Sequence, residues 1–420
     1  MIGSSAFNFC DEGVAQFRKN SGASFAKIVR SKPLKILMGV LVFASFASEL
    51  CAEQLYIANY ELGSGTSPPG PGGITIFNTA TNTVTTPITV GQGPGGIAVS
   101  PDGSKIYVPN FDAIDATASI SVIDAATKSV IRTINVGKNA ISIAITPNGS
   151  KLYVTHTFFG GLNPIDKVSV INTSTNSVIS DITVGDDPMA VAITPDGSKA
   201  YVVNNGGGGS ISVIDTGSDA VTATVNPIYP TYDYPRDVAV SPDGSKYYIV
   251  YSGAIKTVEV MDVNTDTRIG TISPGQAIEK IAISRDGSKI YLTSQATGKV
   301  FVVDAATNNL IGTINLGGAP SAIAVSIDGS KAYVSNYTGG TVSVIDTIAN
   351  TVISTVSVGR NPSALAIGSY TPGPIVTVPT LRQSALIALG LLLGWAAFSQ
   401  LLGSGRKATV VSSDVFSPGN

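Results

Sequence analysis

Side chains able to act as acid, base or nucleophile are sparse in this chain, so the few that occur are conspicuous. His156 is the single histidine. Imidazole is the side chain best matched to proton transfer near neutral pH, which makes His156 an acid–base candidate. Two charged pairs, Arg236-Asp237 and Glu279-Lys280, interrupt apolar runs. Charges so placed either neutralise one another or line a polar ligand site, and Glu279 is then the carboxylate suited to acid–base work. Metal-centred chemistry needs clusters of His or Cys, and the chain has one His and two Cys. It contains no CxxCH haem-attachment motif, no nucleophile elbow beside His156 and no GxxxxGK[ST] phosphate loop. The reading carries no cofactor and no metal. An enzyme here would rest on carboxylates or on His156.

These residues are positioned by repeats. SPDGSK (100–105), TPNGSK (146–151), TPDGSK (194–199), SPDGSK (241–246), SRDGSK (284–289) and SIDGSK (326–331) recur every 42–48 residues. Such a period signals stacked supersecondary units. One unit, 187–226, reads as four strands. Met189–Thr194 is apolar, Asp196-Gly197 makes a hairpin turn, and Ala200–Asn204 is rich in β-formers. Ile211–Asp215 alternates, and Val221–Val225 follows. Four short antiparallel strands per repeat make a propeller blade.

The third-strand motif occurs seven times, from ITIFN (74–78) to VSVID (342–346). The second-strand tyrosine also occurs seven times: Tyr56, Tyr107, Tyr153, Tyr201, Tyr248, Tyr291 and Tyr333. The last first-strand copy, Ala364–Ile367, has no hairpin after it, and the first blade, at Leu55-Tyr56, has no such strand before it. The expected fold is all-β: a seven-bladed β-propeller of four-stranded antiparallel blades, closed by pairing of the C-terminal strand in the N-terminal blade. Tyr333-Val-Ser-Asn336 and Tyr201-Val-Val-Asn204, with VSVID and TVSVG, resemble the YVTN-repeat β-propeller family over about residues 54–370. That resemblance implies a secreted or cell-surface protein and leaves the activity open, since the fold hosts lactonases, lyases and redox enzymes alike.

Five segments are expected. Residues 1–52 form a leader: Arg30, Lys32 and Lys35 precede the apolar stretch 36–47, with cleavage after Ala47 or Ala52. Residues 53–370 are the propeller. Residues 371–383 are a linker holding Pro379-Thr380-Leu381. Residues 384–407 hold an apolar stretch (384–402) about 28 Å long as a helix, then Arg406 and Lys407. Residues 408–420 are a tail. The PTL motif, apolar segment and basic stop partly resemble the IPTL-type C-terminal sorting signal of Gram-negative envelope proteins; a plain membrane anchor is the other reading. Both place the propeller outside the cytoplasm, in the periplasm, outer envelope or cell surface of a Gram-negative-type bacterium. Cys10 lies in the leader, so the mature chain has at most the Cys51 thiol. Charged residues are 13% with a net charge of −2. Without a basic cluster, nucleic acid is not an expected partner. The propeller is expected to be monomeric.

Repeats serve as their own control: a residue in every blade builds the blade, and a residue in one blade is a candidate for function. The recurrent Asp or Asn after the third strand reads as an Asx turn. The lysine of DGSK reads as a solvated hairpin flank. The DGSK turns are short and uniform, so irregularity falls on the opposite face, in 60–73, 111–118, 157–167 and 226–235. Those loops hold Tyr60, Phe111, Asp112, Asp115, Phe158, Phe159, Asp166, Tyr229, Tyr232, Asp233 and Tyr234. Aromatics mixed with carboxylates suit protein or glycan contact, or self-packed loops. Arg236, Asp237, Glu279 and Lys280 fall where other blades carry small or apolar residues, at the channel mouth of this face. Three functions follow: an envelope-anchored, non-enzymatic binder of protein or glycan; an extracytoplasmic lactonase, lyase or hydrolase; or a purely structural surface component.

Overall fold

The computed structural model describes residues 53–60, 71–111, 118–157, 166–226, 234–252 and 256–369. The leader, the linker, the apolar segment and the tail lie outside them. Among the described residues no helix is long and apolar enough to cross a membrane.

Those residues form seven antiparallel sheets, each built from consecutive strands except one. The exception holds both chain ends. Its inner strand is Pro362–Ser369, its second strand is Glu53–Asn59, and its third is Gly73–Asn78. The register pairs Gln54 with Gly368, Tyr56 with Ala366 and Ala58 with Ala364. This is the expected closure. The outer strand of this blade is split into Thr83–Val84 and Ile88–Thr89 by Pro87, which cannot donate to a ladder. The second blade has a short inner strand, Ala98–Val99. It is preceded by Gly95, where a Cβ would stand 2.5 Å from the Ile141 carbonyl of the third blade, so only glycine fits.

Each letter of the DGSK turn has a bond. Ser100 Oγ and the Ser104 amide donate to Asp102 Oδ1, at 2.6 and 3.0 Å, and the Lys105 amide donates to Ser100 Oγ at 2.9 Å. Gly103 takes φ +69°, which a side chain resists. The set recurs in the other five copies. The turn after each third strand is the Asx turn read from the sequence: Asp124 Oδ1 accepts from the Thr127 amide at 2.7 Å, and six counterparts do the same.

The core lies between blades. Blade one packs Tyr56, Ala58, Ile74 and Ile76 against Ile106, Val108 and Ile123 of blade two. Leu55, Ile57 and Phe77 on its other side pack against Tyr333, Val342 and Val344 of blade seven. The seven repeated tyrosines are at most 1% exposed. Outer strands are exposed, as in Ser129–Gly137.

The lysine of DGSK is more than a solvated flank. Lys151 Nζ donates to the Thr216 carbonyl and Asp219 Oδ2 of the next blade, both at 2.8 Å, and Tyr153 Oη donates to Asp219 Oδ1 at 2.6 Å. Lys199 and Tyr201 grip Asp266 likewise, at 3.2 and 3.1 Å. Burial and then the Asp219 carboxylate push the Tyr153 hydroxyl far above its usual range. The long lysine stem lies along the blade seam and carries its charge to the neighbouring turn, which strand periodicity does not reveal.

Truncation before Pro362 removes the inner strand of the closing blade and uncovers Leu55 and Ile57. Thermal unfolding followed by circular dichroism should lose its cooperative transition or fall by more than ~10 °C; an unchanged midpoint would contradict closure by this strand.

Candidate functional site

The charged quartet sits at the seam of blades five and six. Arg236 opens the inner strand Pro235–Val240, and Lys280 opens Lys280–Ile283. The four side chains pair crosswise across the seam. Arg236 Nε lies 3.5 Å from Glu279 Oε2, and Lys280 Nζ lies 3.1 Å from Asp237 Oδ1. Asp237 Oδ2 accepts from the Ile281 amide at 3.1 Å. Of the two alternatives left by the sequence, mutual neutralisation is therefore present in the structure.

The rest of the ring explains why. At other seams a neutral donor of one blade reaches the carbonyl of the proline near the start of the next inner strand. Thr157 reaches Pro188, Asn205 reaches Pro235, Ser321 reaches Pro362 and Ser363 reaches Pro94, at 2.8–3.0 Å. Blade six has Ile278 where five blades have proline and blade three has Ala140, and at its seam with blade five ion pairs do the fastening instead.

His156 ends the second strand of blade three, Lys151–His156, and is fully buried. Its Nδ1 lies 2.6 Å from the Lys138 carbonyl, which fixes the proton there, and its Nε2 has no hydrogen-bond partner. Burial is the largest influence and pulls its pKa down to about 4. In four other blades this position is asparagine. Asn59, Asn110, Asn204 and Asn336 each donate to a third-strand hydroxyl at 2.8–3.0 Å. His156 does not do the same: its ring N–H goes to the Lys138 carbonyl, and Ser169 donates to Asp181 at 2.6 Å. Asp181 also pairs with Lys167 at 2.8 Å. Burial opposes ionisation of Asp181, but the bonds from Lys167 and Ser169 outweigh it and hold the carboxyl below its usual range.

A second exceptional cluster escaped the sequence reading in part. Tyr251 stands where blade three has His156 and four blades have asparagine, and its partner is Glu259. Tyr251 Oη donates to Glu259 Oε2 at 3.1 Å, Arg268 lies 3.9 Å from Glu259 Oε1, and Glu259 is 3% exposed. The signal was a glutamate in VEVMD where most blades have Ser or Thr.

Of the loop residues, Tyr60 and Phe111 are brought together at the seam of blades one and two. A Cβ on Gly93 would stand 3.3 Å from the Tyr60 ring and 3.4 Å from Phe111 Cβ. Tyr234 is exposed and lies beside Arg236, on the opposite side of the ring from that pair. Asp166 accepts from the Asp187 amide at 2.9 Å and so ties its loop to the connection that leads into the next inner strand. Asp112, Asp115, Phe158, Phe159, Tyr229, Tyr232 and Asp233 lie outside the described residues. Among the described residues, no group of three or more His, Cys, Asp or Glu is placed to hold a metal ion.

With this geometry in hand, comparison with known proteins is informative about architecture. No protein-family model matches the sequence, and no curated protein matches it. Solved structures do match. Hydrazine synthase from Kuenenia stuttgartiensis is 22% identical, covering 66% of this chain and 89% of that one, with a TM-score of 0.59. The periplasmic gluconolactonase of Pseudomonas aeruginosa is 18% identical, covering 76% and 99%, with a TM-score of 0.62. A putative 6-phosphogluconolactonase from Bacteroides uniformis is 17% identical, covering 76% and 99%, with a TM-score of 0.61. The likeness is one of fold.

Two outcomes test the site. Asp237→Ala leaves Lys280 and the Ile281 amide without their partner and should cost about 2–3 kcal/mol in urea unfolding, whereas Arg236→Ala, in an exposed pair, should cost less than ~1 kcal/mol. His156 has a folded pKa below its unfolded value near 6.5. Its stabilising contribution is then present above that value and is lost as pH falls toward about 4, amounting to roughly 3 kcal/mol. Unfolding curves at pH 7 and pH 4 should show a smaller acid loss in His156→Asn than in the native chain.

Proposed function

We propose that this protein is a non-enzymatic recognition ring, exported and held at the cell envelope, that binds a protein or glycan through the face opposite the DGSK turns. The observation that carries this reading is the state of the two candidate chemical centres. The carboxylates at the channel mouth are fastened to cations, and His156 is buried and neutral. The half-buried Tyr60 and Phe111 and the exposed Tyr234 flank the irregular loops of that face, where a rigid scaffold presents variable contact groups. Tyr60 and Phe111 form one such patch, and Tyr234 with Arg236 forms another. The apolar stretch 384–402 supplies the membrane attachment, as an anchor or a sorting signal of the IPTL type.

A lactonase is the second reading. It is favoured by the fold shared with a periplasmic gluconolactonase and putative 6-phosphogluconolactonases. In that case Glu279 and His156 carry the acid–base work, and Arg236 with Lys280 holds the substrate.

The two readings part in one experiment. The purified chain is assayed for hydrolysis of gluconolactone and its 6-phosphate, then for retention on glycan and envelope-protein arrays. The expected result is no turnover above the spontaneous rate, with retention weakened at least ~10-fold by Tyr60→Ala and Tyr234→Ala together. Turnover abolished by Glu279→Gln would establish the lactonase instead.

A further inference from the structure

The proline of the turn motif packs by rule. Pro101 Cδ lies 3.2 Å from the place a Cβ on Gly149 would occupy. Pro147 lies 3.2 Å from that of Gly197, Pro195 3.6 Å from that of Gly244, and Pro242 3.7 Å from that of Gly287. Each contact joins the turn of one blade to the turn glycine of the next, from blade two through blade six. There the series stops. Blade six carries Arg285 in place of proline, and the corresponding point on Gly329 has nothing within 4 Å.

A cleft of about 420 Å³ opens at this break, lined by Arg285, Asp286, Lys289, Tyr291, Asp328 and Ile348 among others. A second filling element is missing as well. Asn350 stands where Asp219 and Asp266 complete the lysine–tyrosine grip in blades four and five. Lys289 therefore reaches only the Thr347 carbonyl, at 2.5 Å. Tyr291 is buried and lines the cleft. Arg285 is exposed. Asp286 and Asp328 accept bonds from the serines of their own turns, and Asp286 Oδ2, which accepts one bond from Ser288, retains acceptor capacity. Ile348 is 86% exposed at the rim.

These groups select a ligand chemistry. A neutral sugar would leave the guanidinium unmatched. A compact dianion would meet two carboxylates. A molecule with one carboxylate and several hydroxyls satisfies both signs of charge, and the size suits one or two sugar units. We propose that the cleft between blades six and seven is a binding site for an acidic sugar unit of the uronate class. Arg285 takes the carboxylate in the bidentate geometry that guanidinium favours. Asp286 accepts a ring hydroxyl, and Ile348 covers the apolar face of the ring. The site lies on the face opposite the loop patches, so it stands or falls independently of them.

The test uses the full chain and three probes in titration calorimetry: galacturonate, an oligogalacturonate and galactose. Saturable binding of an acidic form, with none for galactose, is the expected result. Binding of the monomer at comparable strength points to a free sugar acid as the source; at least ten-fold tighter binding of the oligomer points to an acidic polysaccharide. R285P restores the residue that four other blades carry at this turn, so the fold should tolerate it, and it should weaken binding ten-fold or more. R285A, which has no backbone effect, should weaken it similarly if R285P fails to fold. Tyr60→Ala with Tyr234→Ala should leave this binding unchanged. Absence of saturation with both acidic probes, equal binding of galactose, or undiminished binding by the Arg285 variants would overturn the site.

Discussion

Each blade of this ring is apolar on both broad sides, and that constraint governs everything else. A single blade cannot shield its own tyrosine, and neither can a stack with two open ends. Tyr56 and Ile76 are dry only because blade two covers them; Leu55 and Phe77 are dry only because blade seven does. The requirement is met by making the first and last segments of polypeptide share a sheet, which also removes the exposed sheet edges that invite aggregation. Because burial is distributed over seven seams, individual seams can differ in how they are fastened without endangering the ring.

The differences between seams are where chemistry enters. On the loop face the common fastening is a neutral donor to the carbonyl of the next blade's proline, and one seam replaces it with two crossed ion pairs. On the turn face the common fastening is proline against glycine, and one seam replaces it with an arginine and a gap. The first exception is filled by its own charges. The second is not. A structural role accounts for Asp237 and Lys280, whereas nothing in the fold requires Arg285 to be charged.

Much of the architecture was legible in the residues because repetition states the period directly. Seven tyrosines and seven third-strand motifs give the blade count, and the unpaired Ala364–Ile367 run gives the closure. Local turn bonds were legible too, since Asp-Gly-Ser and the Asx turns are fixed within a few residues. Contacts across seams were not. Lys151 with Asp219, and Lys199 with Asp266, join positions whose proximity depends on blade rotation and side-chain reach. The crossed pairing of Arg236, Asp237, Glu279 and Lys280 could be posed as one of two alternatives, because adjacency of blades was known while side-chain direction was not. Arg285 is visible in SRDGSK, but the value of the proline it replaces appears only when the next blade's glycine is seen beneath it.

Glu53 pairs with Ser369 at the spot where every other blade has a DGSK hairpin. The two ends of the ring thus emerge side by side on the turn face, with one peptide connection simply omitted. The polypeptide is equivalent to a seven-copy circle cut at one hairpin, and any of the six remaining hairpins could have served as the cut. It follows that a fusion partner, resin or lipid attached at either end would leave the far rim pointing away from the support.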